Sequence, residues 1–170
     1  MPSPLSPSQA GRIALAHRVR DACICLHLQR AARVVARRFD DALRPLDLTN
    51  GQFSLLVSLN RAEAPGVVET SRLLGMDRTT ITAALKSLER RGLAEIRSAE
   101  ADRRRRSLHL TARGRRLVAA ALPLWAEAHA ETERALTVEP DALRLELRTI
   151  GSTPPRAGRA PRAATGTASR

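Results

Sequence analysis

The strongest constraint in this chain is the punctuation between residues 65 and 111. Pro65-Gly66 breaks one helical run, Gly75-Met76-Asp77 joins two others, Gly92 stops the second of these, and Thr111 precedes another. Glycine takes a left-handed helix cap without strain, and Asp or Thr side chains accept from the open N–H groups of a helix start. Between these marks lie a short helix, about Glu69–Leu74, and a longer one, Arg78–Arg91. Leu93–Arg97 and Ser107–Leu110 follow as β-prone runs around a charged loop, Ser98–Arg106, and read as a hairpin. Helix, tight glycine turn, helix, hairpin is the order of a winged helix-turn-helix.

The flanks are helical. Residues 12–44 read as one long helix rich in Ala, Arg and Leu, with Ile13, Leu15, Val19, Ile24, Leu28, Ala31, Val35, Phe39 and Leu43 along one face. Pro45 ends it. A helix of that length packs most simply against another subunit. Thr49 and Gln52 have capping-box spacing and open a helix Gln52–Arg61 that buries Phe53, Leu56 and Leu59. Thr111 caps a helix to about Leu136, bent at Pro123, and a last helix covers about Pro140–Ile150. Residues 1–10, with three Pro and three Ser, read as a loose arm. Residues 151–170, almost without large apolar side chains, read as a disordered basic tail. The folded part is about 11–150.

Charge separates the segments further. The chain of 170 residues carries 29 Lys+Arg against 17 Asp+Glu, and Lys86 is its only Lys. Residues 78–116 hold 12 basic and 4 acidic side chains, and residues 151–170 hold four Arg and no acid; the remainder is balanced. Clustered Arg gains affinity for a polyanion by releasing counterions from phosphates. Two Phe, one Trp and no Tyr leave no aromatic platform for stacking single-stranded bases. No apolar run approaches the ~20 residues of a membrane span, the first residues lack a secretory pattern, and two Cys make no disulfide framework. The expectation is a cytoplasmic protein without a membrane partner.

On the helix from Arg78, Ile81, Leu85 and Leu88 share one face. At 100° per residue the opposite face carries Thr79, Thr82, Ala83, Lys86 and Arg90, with Arg78 and Thr80 at the N-terminus. Such a face suits a major groove: hydroxyls reach base edges or phosphates, methyls meet thymine methyls, and Arg forks onto guanine. The helix N-terminus adds a phosphate-binding dipole. The bland alternative is an ordinary amphipathic surface helix. The following segment, Asp102-Arg103-Arg104-Arg105-Arg106, places four consecutive Arg at the hairpin turn. A solvated charge run is the common use of such a cluster, but directly after a recognition-like helix it fits a minor groove, where inserted Arg is favoured. Asp102 can pair with one Arg and aim the wing.

Residues 20–136 resemble the MarR family of bacterial winged-helix transcriptional regulators. The resemblance is carried by Leu73-Leu-Gly-Met-Asp-Arg-Thr-Thr-Ile-Thr82, by Leu88-Glu-Arg-Arg-Gly-Leu93, by Leu48-Thr-Asn-Gly-Gln-Phe-Ser-Leu-Leu56, and above all by Asp102-Arg-Arg-Arg-Arg-Ser-Leu-His-Leu-Thr-Ala-Arg-Gly114. The last matches the family's wing pattern, whose Asp and second Arg fall on Asp102 and Arg104. The resemblance implies a mainly α fold with a small β-hairpin wing. Its winged-helix lobe covers about 46–112, and long dimerisation helices cover about 12–44 and 113–150. It implies an obligate homodimer on a palindromic duplex operator, one recognition helix per major groove and one wing per minor groove. Such a protein represses nearby genes and leaves DNA when a small, often phenolic or lipophilic, molecule or a redox signal changes the spacing of its lobes. Neither a cofactor nor a metal is expected.

Cys25, His27 and Trp125 are the candidate effector or redox residues. Organic-hydroperoxide sensors of the same family carry a reactive Cys near the position of Cys25, held by Tyr side chains that this chain lacks. The plainer reading is a cysteine packed as a small hydrophobe. Cys23 and His27 share a helix face but make only two metal ligands, with His17 and His129 elsewhere. No nucleophile–base–acid set or phosphate loop appears, so an enzyme is not expected. The competing readings are a nonspecific architectural DNA-binding protein, which the Arg-rich tail supports, and a thiol-based peroxide sensor.

Overall fold

A computed structural model describes residues 7–99 and 102–152. The elements run α1 (Pro7–Ala22), α2 (Ile24–Leu43), a 3-10 turn (Arg44–Leu46), α3 (Asn50–Ser58), α4 (Val67–Leu74), α5 (Arg78–Arg90), β1 (Ala94–Ala99), β2 (Asp102–Leu110), α6 (Ala112–Arg134) and α7 (Pro140–Ser152). Residues up to Ala135 form one compact unit, and α7 belongs to a second. Among the described residues, no helix is long and apolar enough to cross a membrane.

Three differences from the sequence reading stand out. The expected single helix over 12–44 is two helices. Cys23 is extended (φ −79°, ψ 103°), and its thiol accepts from the Leu26 N–H at 3.5 Å, so it caps α2 as a serine would. Second, α1 begins at Pro7, so the arm expected over 1–10 is helical in its last four residues; Pro tolerates a first helical turn, where its missing N–H has no partner to lose. Residues 1–6, and the basic tail beyond Ser152, lie outside the described residues. Third, the segment read as a charged loop, Ser98–Arg106, is mostly strand. β2 starts at Asp102, so the Arg run lies in its first residues, where the register shifts between Ser98↔Arg106 and Ala99↔Asp102. Pairing is regular from Ala94↔Leu110 to Ser98↔Arg106, then shifts, with Ala99 opposite Asp102. Main-chain pairing is indifferent to side-chain charge, which is why a charged stretch misled the loop assignment.

The local signals otherwise act where they stand. Thr49 Oγ1 accepts from the Gln52 N–H at 3.2 Å while Gln52 Oε1 accepts from the Thr49 N–H at 3.1 Å, closing the capping box of α3. Asp40 on α2 accepts from the Asn50 N–H at 2.6 Å, satisfying a further open donor and fixing α3 against α2. Gly75 and Gly92 take φ of 62° and 66° and end α4 and α5.

One core joins the winged lobe to α2 and α6. Leu43, Leu55, Leu56, Ile81, Leu85, Leu88 and Leu108 are almost fully buried, with Phe53, Leu93, Val118 and Ala121 around them. Phe53, Leu56, Leu59, Ile81, Leu85 and Leu88 are thus on the faces their spacing predicts. The wing gains a short third member: Gly66 bridges to Ser107, and the Pro65 carbonyl accepts from the Leu108 N–H at 3.0 Å. The residues that punctuate the approach to α4 therefore also cover an edge of β2.

Candidate nucleic-acid interface

The exposed face of α5 is built from its first turn. Asp77 Oδ1 accepts from the N–H groups of Thr79 and Thr80, both at 2.9 Å, and Oδ2 accepts from the Thr80 hydroxyl at 2.6 Å. These bonds, the Thr80 hydroxyl foremost, hold the Asp77 carboxyl below its ordinary value. The sign follows from linkage: a lowered native pKa means stability that is full above the unfolded value and fades as pH falls through the native one. Asp77→Asn keeps an accepting oxygen but not the charge. The stability difference between wild type and Asp77→Asn, read by urea unfolding, should be constant near neutral pH and shrink as the carboxyl protonates. A difference independent of pH would contradict this role.

Thr79, Thr82, Ala83, Lys86 and Arg90 form the exposed stripe, and Arg78 is exposed at the N-terminus. Thr80 stands off that stripe, its hydroxyl given to Asp77. The Thr82 hydroxyl donates to the Arg78 carbonyl at 2.6 Å. The only acid of α5, Glu89, is half-buried at the edge of the stripe: its Oε1 accepts from the Ile96 N–H at 3.2 Å and pins β1 to the helix. Lys86 and Arg90 therefore face outward, with the one carboxylate of the helix bonded at its edge to β1. Asp102–Arg106 continue directly from this anchored hairpin as the first residues of β2.

The base of the wing is a knot of backbone around Thr111 and Gly114. Thr111 Oγ1 accepts from the Gly114 N–H at 2.9 Å and donates to the Gly92 carbonyl at 2.8 Å, while the Thr111 N–H reaches the Leu93 carbonyl at 3.2 Å. The end of α5, the start of β1 and the start of α6 meet there. The signal was present, as Thr-x-x-Gly, but only the fold shows which backbone Gly114 must approach.

Trp125 is placed apart from the other effector candidates. It lines an apolar cleft of about 340 Å³ with Phe53, Val57, Leu73 and Leu122. Its ring lies 6.4 Å from Phe53 and stacks at 4.7 Å on His129. Cys25 and His27 do not line that cleft. Both are exposed in the first turn of α2; Cys25 Sγ accepts from Gln29 Nε2 at 3.3 Å, and His27 Nε2 lies 3.2 Å from the Asp21 carbonyl. Sequence reasoning missed Phe53, Leu73 and Leu122 as cleft walls because each reads simply as core or surface of its own helix.

A three-helix lobe with a two-stranded wing, an exposed cationic helix face beside that wing, and the Glu89–Ile96 bond joining them define a winged helix-turn-helix protein. The MarR family profile matches residues 46–105. The transcriptional regulator HosA of Escherichia coli O127:H6 is 32% identical over 103 residues, spanning 59% of this chain and 75% of HosA. The transcriptional regulator MosR of M. tuberculosis, solved in complex with DNA, is 34% identical with a TM-score of 0.69, over 76% of this chain and 93% of MosR. The transcriptional repressor CouR, solved on a 23-mer DNA duplex, is 33% identical with a TM-score of 0.69, over 78% of this chain and 94% of CouR. The chain belongs to the MarR family of transcriptional regulators.

Proposed function

We propose that the protein is a homodimeric, sequence-specific repressor that binds a palindromic duplex operator in the cytoplasm and is released by a small apolar effector. The observation that carries the DNA reading is the α5 stripe: Lys86 and Arg90 exposed, Glu89 bonded to Ile96, and the Arg-bearing strand anchored beside it. Arg78, Thr79, Thr82, Ala83 and Lys86 are assigned to the major groove and Arg103–Arg106 to the minor groove, with Asp102 orienting the wing. Thr80 acts through the Asp77 cap.

The dimer rests on uncovered apolar surface. Leu15 and Val19 of α1 and Leu145 and Ile150 of α7 are each more than half exposed, and two turns of apolar side chains on each of two helices call for a cover. A second copy supplies it most simply. The effector reading rests on the Phe53–Trp125 cleft, whose walls suit a flat apolar ligand. CouR has also been solved with p-coumaroyl-CoA bound, a ligand with an aromatic acyl group. The exposed thiol of Cys25 supports the redox alternative.

The test is an electrophoretic shift on the DNA upstream of the protein's own gene. Binding that survives a large excess of unrelated duplex is expected, and loss of preference over competitor would favour the architectural reading. Trp125 is the chain's only tryptophan, so its emission reports the cleft: an apolar ligand that shifts this emission should also release the DNA. A further prediction separates the tail from the reader. Deleting residues 153–170 removes four Arg per subunit; the salt dependence of binding should flatten while sequence preference stays. Loss of preference would give the tail a specific role.

A further inference from the structure

Resting on the assignment of α5 to a major groove, we infer that the helix reads thymine methyl groups, with Thr82 and Ala83 as the specificity-determining residues. What the stripe lacks is as telling as what it holds. It has no Asn, Gln, Asp or Glu, the side chains that read adenine or cytosine by hydrogen bonding. Thr82 would be the polar reader at its centre, but its hydroxyl proton is spent on the Arg78 carbonyl at 2.6 Å. That leaves it a methyl and an oxygen that can only accept, with no proton to give a base. Ala83, beside it and exposed, offers only a methyl. The Thr80 hydroxyl is held by Asp77, and Thr79, whose N–H is capped by Asp77, adds one hydroxyl in the first turn, before the Thr82–Ala83 pair.

The cations lie around this methyl centre. Arg78 stands one turn before it, and Lys86 and Arg90 lie one and two turns after it. They suit phosphates or guanine at the edges of the half-site, leaving the middle to apolar contact. The thymine C5-methyl is the one apolar group that the major-groove edge of the four standard bases presents. The half-site read by α5 therefore carries thymine opposite Thr82 and Ala83, and its recognition depends on that methyl and not on the base pairing of thymine, which uracil shares.

The experiment uses the full chain. Duplexes are selected from a random 24-base-pair pool, and the winner is synthesised with thymine and, separately, with deoxyuridine throughout its half-sites. Binding should weaken by about fourfold for each buried methyl removed. Thr82→Ser keeps the hydroxyl and its bond to the Arg78 carbonyl but deletes the methyl, so it should narrow the thymine-over-uracil ratio. Thr82→Val keeps an outward methyl and should preserve the ratio. Equal affinity of the wild-type protein for the two duplexes overturns the inference and leaves the regulator reading standing. A ratio that Thr82→Ser and Ala83→Ser both leave unchanged overturns the assignment to these residues. Failure to select any sequence overturns the regulator reading itself.

Discussion

Gly114→Ala is expected to cost about 3 kcal/mol or more of stability, although the substitution puts a good helix former into a helix. A Cβ at this position would lie 2.0 Å from the Leu93 carbonyl oxygen, 3.0 Å from its carbon and 3.1 Å from Leu110 Cδ2. Neither side can give way cheaply. Leu93 is 2% exposed, its N–H is bonded to the Leu88 carbonyl at 2.9 Å, and its own carbonyl accepts from Thr111. On the other side, the Gly114 N–H is held by Thr111 Oγ1. In an open helix the change would gain about 1 kcal/mol in propensity, so the clash decides the sign. The thermal midpoint should fall by roughly 6–12 °C for a domain of this size, and the urea midpoint should fall with it. DNA binding should fail together with stability, because the same knot aligns α5, the wing and α6. Gly51→Ala is the control: its Cβ would meet only the Met76 methyl, at 3.8 Å, and should be tolerated. An unchanged unfolding midpoint for Gly114→Ala would refute the close approach.

That glycine illustrates where the sequence was legible. Signals confined to one turn of chain were readable: the Thr49–Gln52 box, Asp77 before α5, Gly75 and Gly92 after their helices, Thr111 before α6. Each works through bonds to residues within about four positions, so spacing alone exposes it. Whatever depends on a distant partner was not readable. Pro65-Gly66 looks like simple punctuation until Leu108 and Ser107 arrive beside it. Gly114 looks like a weak helix position until Leu93 does. The Cys23 break hid for another reason: the apolar spacing carries on across it, and cysteine is not among the usual capping residues. The candidate site divides the same way. The stripe on α5 follows from 100° per residue. The capture of Thr80 by Asp77, the bond of Glu89 to Ile96 and the Phe53–Trp125 cleft needed the folded chain.

Replacing Arg103, Arg104, Arg105 and Arg106 together by Gln should weaken operator binding by about 10³–10⁴-fold at 0.1 M salt. The proposed dimer carries eight of these Arg, and if half of them meet phosphates or the minor-groove channel, four contacts are lost. Each contributes about 0.9 to the slope of log affinity against log salt, so the slope should become shallower by about 3.6. At 0.1 M, one decade below the 1 M reference, that slope change is the stated loss. Gln is shorter than Arg, but it is neutral and leaves the main chain free to pair, so the pairing from Ala94↔Leu110 to Ser98↔Arg106 should persist, and unfolding should shift little. Near 1 M salt the variant and the wild type should converge, because the electrostatic term vanishes there while the α5 contacts remain. The preference for the selected sequence should survive in large part, since base identity is assigned to the Thr82–Ala83 stripe. A variant with unchanged slope would place the Arg run in solvent, and one that loses all sequence preference at low salt would make the wing, and not α5, the reader.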